Sequence, residues 1–219
     1  MAKPLRPEPK YFLKTDRELS YATYLRQYFP GHTEYRILGE KSVSYLEKKD
    51  AALRIKALLP GVKIVIILRD PVIRALSNYW FTRNNGLEDR SLNEAFTTLV
   101  DKPAGSEMGH VSVSPYSYLG RGRYLEFIDA YANIFTKKRL YIGILENLAD
   151  HLSELQQLYK FLGVDTAFVP SRLNFSDNES EKTDEYLSAQ TMRRLIDYYG
   201  ECNQRLAKTY ALDISRWLK

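Results

Sequence analysis

The strongest pattern in the chain is the β-branched run Val62-Lys63-Ile64-Val65-Ile66-Ile67-Leu68, bounded by Gly61 on one side and Arg69-Asp70-Pro71 on the other. Such a run predicts an interior strand, apolar on both faces because crossover helices cover a parallel sheet from both sides. Asp70 reads as an N-cap and Pro71 as a first helical residue, so a helix over 71–81 starts directly after the strand. Apolar spacing and stop signals predict further helices over 20–29, 47–59, 91–100 and 123–135, and one from 185 to 199 or beyond. Leu140 to Leu145 reads as a second interior strand. Asp150 then reads as the cap of a helix with the stripe Leu152, Leu155, Leu158, Tyr159 and Leu162, ended by Gly163. Tyr35 to Leu38 reads as a short strand and Gly39 to Ser42 as a loop. The Pro-rich stretch from Met1 to Lys10 reads as extended, and 101–115 and 174–184 read as long loops. The alternation of strand, helix and strand predicts an α/β domain, and no internal repeat disturbs it.

The junction between the first strand and its helix is the natural place for a ligand. An open helix N-terminus presents unsatisfied N–H groups and a partial positive charge. Arg69 stands at the carboxyl end of the strand, and Asp70, Arg74 and Ser77 fall on one side of the helix. A phosphate between Arg69 and Ser77 would receive a charge-assisted fork from the first and a hydroxyl from the second. The alternative is that Arg69 and Arg74 pair with nearby carboxylates while Ser77 only packs. A carboxylate beside a bound anion is repulsive, so Asp70 is assigned to the cap. Gly120-Arg121-Gly122-Arg123 reads as a flexible basic loop.

Composition narrows the ligand class. With 219 residues the chain suits one domain over 1–219. A net charge of +5 favours anionic ligands but falls short of a nucleic-acid coat. One Cys and three His exclude a disulfide framework, argue against a protein-ligated metal, and fit a reducing, cytoplasmic location. No apolar run approaches the roughly 20 residues that span a bilayer, so membrane insertion is not expected. The 17 tyrosines suit either ordinary cores or a cleft for a partly apolar acceptor. Neither a Gly-x-x-x-x-Gly-Lys-Ser/Thr loop nor a Gly-x-Gly-x-x-Gly fingerprint is present.

Two segments taken together are more specific. Gly39-Glu40-Lys41-Ser42-Val43-Ser44-Tyr45-Leu46 is followed by Leu68-Arg69-Asp70-Pro71-Val72-Ile73-Arg74-Ala75-Leu76-Ser77-Asn78-Tyr79. In this order they resemble the sulfotransferases that use 3′-phosphoadenosine 5′-phosphosulfate, in particular the bacterial and carbohydrate (heparan-type) branch. Gly122-Arg123-Tyr124, Leu145-Glu146-Asn147-Leu148 and Phe161-Leu162-Gly163-Val164 agree with the same family, so the likeness covers most of the chain.

The resemblance implies a P-loop-NTPase-like parallel sheet flanked by helices and no required metal. It implies transfer of a sulfuryl group from 3′-phosphoadenosine 5′-phosphosulfate to a hydroxyl of a small molecule or carbohydrate, leaving 3′-phosphoadenosine 5′-phosphate. By the family's motifs, Arg69 and Ser77 hold the 3′-phosphate and Lys41 lies near the transferring group. Glu8, in Pro7-Glu8-Pro9-Lys10-Tyr11-Phe12, matches the family's general base, although Pro7 and Lys10 stand where the family has Lys and His. Family members place a strand and a Lys-x-Gly-Thr/Ser loop for the 5′-phosphosulfate before that glutamate. Nothing of the kind precedes Glu8, so the resemblance implies a chain missing its first strand and loop. Two other readings stay open, a degenerate domain with a nucleotide-binding or scaffolding role and a kinase-like nucleotide-dependent transferase. The absent P-loop argues against the second. Nucleic acid is not an expected partner, and neither the acceptor nor the oligomeric state is written in the sequence.

Overall fold

In chain order the helices and strands are α1 (Tyr21–Tyr28), α2 (Lys49–Leu58), β1 (Ile64–Leu68), α3 (Pro71–Asn84), α4 (Leu92–Thr97), α5 (Tyr124–Ile134), β2 (Leu140–Ile144), α6 (Leu145–Asp150), α7 (Leu152–Leu162) and α8 (Ala189–Tyr210). The computed structural model describes residues 4, 8–14, 19–98, 117–171, 181–182 and 184–218. The expected loop over 101–115, and all of the one over 174–184 but residues 181, 182 and 184, lie outside these residues, as does most of the stretch before Glu8.

Among the described residues β1 and β2 pair in one sheet. Ahead of the strands, the Arg139 guanidinium donates to the Gly61 carbonyl. Beyond them, the Asp70 amide donates to Glu146 Oε1 at 2.9 Å. Starts meet starts and ends meet ends, so the strands run in the same direction, and the connection between them is a crossover that contains α3, α4 and α5. The expected α/β architecture is present.

Four expectations need correction. Val65 and Ile67 of β1 are 37% and 41% exposed while Ile66 and Leu68 are buried, so this strand is covered on one face and not on both. Tyr35 to Leu38 forms no strand. Only Leu38 makes an isolated bridge, since the segment carries Arg36 and a half-exposed Tyr35 rather than an alternating apolar face. Asp150 does not cap α7. It is the last residue of α6, which grows straight out of β2, and its carboxylate pairs with Arg216, leaving His151 at the cap position without a side-chain bond. Lys10 is not extended but left-handed at φ 52°, where a 3-10 turn over Tyr11–Leu13 begins. The stripe on α7 forms as expected, half-buried.

The chain's contacts divide into two compact units, residues 1–64 with 127–140, and residues 65–126 with 141–219. The core of the first is aromatic. Tyr11 and Phe12 meet edge-on at 5.2 Å, and Tyr24, Tyr28 and Tyr45 close around them. The core of the second gathers Val72, Ala75, Tyr79 and Trp80 of α3 with Leu92 and Phe96 of α4 and Leu195 and Tyr199 of α8. On α8 the buried positions Thr191, Leu195, Tyr199, Asn203 and Leu206 recur at helical spacing. No described helix is long and apolar enough to cross a membrane.

Tyrosine hydroxyls in these cores satisfy backbone carbonyls. Tyr131 donates to Tyr45 at 2.7 Å, Tyr199 to Leu119 at 2.8 Å and Tyr79 to Arg90 at 2.9 Å. The link between α3 and α4 turns on Glu88, whose side chain is fully buried. Its Oε1 and Oε2 take Arg90 in a fork of 2.9 and 2.7 Å, and Tyr118 donates to Oε2 at 2.7 Å. Burial alone would raise this carboxyl, yet the Arg90 and Tyr118 bonds hold it below the usual range. Glu88→Ala leaves Arg90 and Tyr118 without their acceptor and should cost about 3–5 kcal/mol, read as a lower urea midpoint. Because the folded carboxyl sits low, its contribution is full above the unfolded carboxylate range. It is lost as pH falls through the lowered value, so the wild-type advantage over Glu88→Ala should shrink in acid.

Candidate active site

The junction after β1 is built as the sequence predicts, but it offers fewer backbone donors. Asp70 caps α3, with Oδ1 accepting from Val72 N at 2.7 Å and Ile73 N at 3.1 Å. Pro71 has no N–H, the Arg74 amide is in the helix ladder to Asp70 O, and the Asp70 amide is held by Glu146. The expected open helix end is therefore closed by its own cap. What remains for an anion is side chains.

Arg69 supplies the cation. Its Nη2 donates to Ile73 O at 2.7 Å, which turns the guanidinium back over the first turn of α3, and its buried Nε has no partner. Among the described residues Arg69 makes no ion pair, and Arg74 donates to Tyr118 O with its own Nε unpartnered. The alternative in which both arginines pair with carboxylates is not what the structure shows. Burial pushes the Arg69 guanidinium below its ordinary value and the nearby Arg74 charge adds to this, partly offset by Tyr124, Glu146 and Asp70. An arginine remains charged at neutral pH, so the shift reflects the partial burial of a cation. Ser77 is half-buried two turns along α3 and makes no side-chain bond among the described residues.

The segment 118–124 is fixed against this junction. Arg74 holds the Tyr118 carbonyl, Tyr199 holds that of Leu119, and Tyr124 donates to Arg69 O at 3.0 Å. Burial pushes the Tyr124 phenol up to about 12, so it stays protonated as a donor. Gly120-Arg121-Gly122 is a 3-10 turn rather than the flexible loop expected. A Cβ on Gly122 would stand 2.7 Å from Tyr199 Cε1 and 2.9 Å from Pro71 Cβ.

In the other unit Glu8 and Lys41 come together, with Lys41 Nζ 3.7 Å from Glu8 Oε1. The Glu8 side chain is only 21% exposed and that of Lys41 is 77% exposed. The two segments are tied side by side. Lys10 N donates to Ser42 Oγ at 3.1 Å and Phe12 N to Tyr45 Oη at 3.3 Å. Ser42 in turn donates to Glu40 Oε1 at 3.2 Å, and Tyr24 donates to Glu40 Oε2. Burial, with the Glu40 carboxylate beside it, pushes the Tyr24 phenol up and keeps the proton on that donor. Glu40, Ser42 and Tyr45 thus place Lys41, while the left-handed Lys10 turns the chain just after Glu8.

The profile of the family described as "Sulfotransferase domain" matches residues 19–197. The chain belongs to the sulfotransferase family. It is similar to heparan sulfate glucosamine 3-O-sulfotransferase 3B1 of Homo sapiens, 28% identical over 159 residues that cover 72% of this chain and 38% of that protein. It is also similar to heparan sulfate glucosamine 3-O-sulfotransferase 3A1 of Mus musculus, 26% identical over 78% of this chain and 42% of the relative. The chain spans less than half the length of these relatives. A crystal structure of a sulfotransferase from Alicyclobacillus acidocaldarius shares the fold, with a TM-score of 0.76, 23% identity, and coverage of 98% of this chain and 87% of that one.

Two side chains at the junction were given no role by the sequence motifs. Glu146 is the second residue after β2 and holds the Asp70 amide across 76 positions. Trp217 is buried and donates to Glu146 Oε2 at 3.3 Å. A carboxylate just past each strand was a visible signal for Glu146, whereas a single Trp near the last residues carried none. Replacing Gly122 tests how tightly the junction is built. Gly122→Ala should lower stability by about 1–3 kcal/mol, seen as a reduced melting temperature, since neither the Tyr199 ring nor Pro71 can yield freely.

Proposed function

We propose that this chain transfers a sulfuryl group from 3′-phosphoadenosine 5′-phosphosulfate to a hydroxyl of a small molecule or carbohydrate by in-line displacement. Family membership supports the reaction type, and one observation in this chain carries the reading. Arg69 is a desolvated cation with a free Nε at a helix start whose backbone amides are already used. Such a group fits a multi-oxygen anion, and a 3′-phosphate held by Arg69 and Ser77 is that anion.

The bound nucleotide supplies an activated sulfuryl group, and as in phosphoryl transfer most of the protein's help is positioning and charge. Glu8 accepts the proton of the acceptor hydroxyl. The Lys41 ammonium, exposed along its side chain, turns from Glu8 to the oxygens that gain charge during transfer. The names of the heparan sulfate relatives extend the proposal to a carbohydrate acceptor, and a net charge of +5 suits an acidic one.

Calorimetric titration tests the cofactor. Wild type should bind 3′-phosphoadenosine 5′-phosphate saturably and adenosine 5′-phosphate at least about tenfold more weakly. Arg69→Ala should lose about 1.5–3 kcal/mol for the 3′-phosphate ligand, a roughly 10- to 100-fold rise in Kd. No binding by a folded wild-type chain defeats the reading. Once an acceptor is found, Glu8→Gln should lower kcat about 10²- to 10⁴-fold while leaving nucleotide affinity unchanged. Turnover should persist in a metal chelator, whereas a kinase-like transferase would stop.

A further inference from the structure

The segment from Asp213 to Leu218 reaches the same junction from the far end of the chain. Leu218 N donates to Asp70 Oδ2 at 2.6 Å, so the second oxygen of the cap belongs to this segment. Trp217 Nε1 donates to Glu146 Oε2, and Arg216 Nη1 donates to the Glu146 carbonyl at 2.6 Å while pairing with Asp150. Asn147 Nδ2 holds the Asp213 carbonyl at 3.1 Å. The Trp217 ring lies 6.1 Å from that of Tyr124.

These contacts surround one residue. The Arg69 carbonyl is held by Tyr124, against which Trp217 packs. The next amide, that of Asp70, is held by Glu146, whose other oxygen is taken by Trp217. The guanidinium is held by the Ile73 carbonyl, and the Ile73 amide is fixed by Asp70, whose free oxygen is taken by Leu218. Each of these three hydrogen bonds is thus backed by residue 217 or 218.

We propose that Arg216, Trp217 and Leu218 are positioning residues that close as a clasp on Asp70, Glu146 and Tyr124 and set the direction of the Arg69 guanidinium. The ligand whose recognition they sharpen is the 3′-phosphate, so the inference rests on the function proposed above. The clasp touches no ligand itself. Its effect is selective for the part of the nucleotide that Arg69 reads, because a small misplacement of a fixed fork costs its bidentate fit more than it costs general binding.

The test is the ratio of affinities for 3′-phosphoadenosine 5′-phosphate and adenosine 5′-phosphate, measured by calorimetry on the full chain. Trp217→Ala should reduce this ratio by about tenfold, and no further than Arg69→Ala does. Trp217→Phe keeps a ring toward Tyr124 but loses the indole N–H, and should fall between Trp217→Ala and wild type. Phe96→Leu, in the core around α4, should lower the melting temperature and leave the ratio at the wild-type value. If Trp217→Ala fails to fold, Trp217→Phe and Glu146→Gln carry the measurement. A wild-type ratio well above one that stays unchanged in the Trp217 and Glu146 variants overturns the clasp alone. A wild-type ratio of one overturns the clasp and the functional reading together.

Discussion

Asp70 is buried at 3% exposure, and a buried carboxylate is tolerated only where hydrogen-bond donors surround it. Here one oxygen takes two helix amides and the other takes the amide of Leu218. Both ends of the residue are used, since its own amide is bound by Glu146. The start of α3, the turn after β2 and the last described residues are therefore all fixed by one side chain and its backbone. Arg69 immediately precedes it and shares that rigidity without sharing the charge neutralisation. The result is a well-held cation with donor capacity left over.

The tyrosines give the interior a similar double use. In an aliphatic core each irregular turn would leave carbonyls without partners, at about 1–3 kcal/mol for each buried group. Phenol rings fill space and carry a donor at the tip, and those of Tyr131, Tyr199, Tyr79 and Tyr124 each reach a backbone carbonyl. Segments with little regular structure, such as 118–123 and 39–46, are thereby tied to the helices that carry Tyr199 and Tyr131. Tyrosine content that could have signalled an acceptor cleft thus has an architectural explanation for these residues.

Local signals were legible in proportion to how local their physics is. The cap at Asp70, Pro71 at the helix start, the strands at 64–68 and 140–144 and the left-handed Gly163 all depend on neighbours within a few positions, and all are found. Asp150 was misread because its charge answers to Arg216, far along the chain, rather than to the helix beside it. Val65 and Ile67 were misread because composition cannot tell which face of a strand is covered. At the candidate site, helix spacing and the family resemblance both point to Arg69 and Ser77, while Lys41 and Glu8 rest on the resemblance alone, Glu8 in a poorly matching segment. The 3.7 Å approach of Glu8 to Lys41 could not be read from the sequence, because it depends on Ser42 and Tyr45 binding amides about thirty positions away. The partners of Glu146 and Trp217 lie as far away in sequence, although the position of Glu146 just past a strand was visible.

The bond between Leu218 and Asp70 spans 148 positions, among the most non-local links in the molecule. Closing so long a loop carries an entropic cost that must be met before the contact returns anything, so such links form late in folding. During synthesis the strand and α3 emerge well before their closing partner, and Asp70 must wait half-satisfied, its second oxygen open to water. Assembly of the Arg69 environment therefore waits on a segment made well after the strand and α3. A molecule lacking residues 213–218 would hold most of its helices and lack the finished junction.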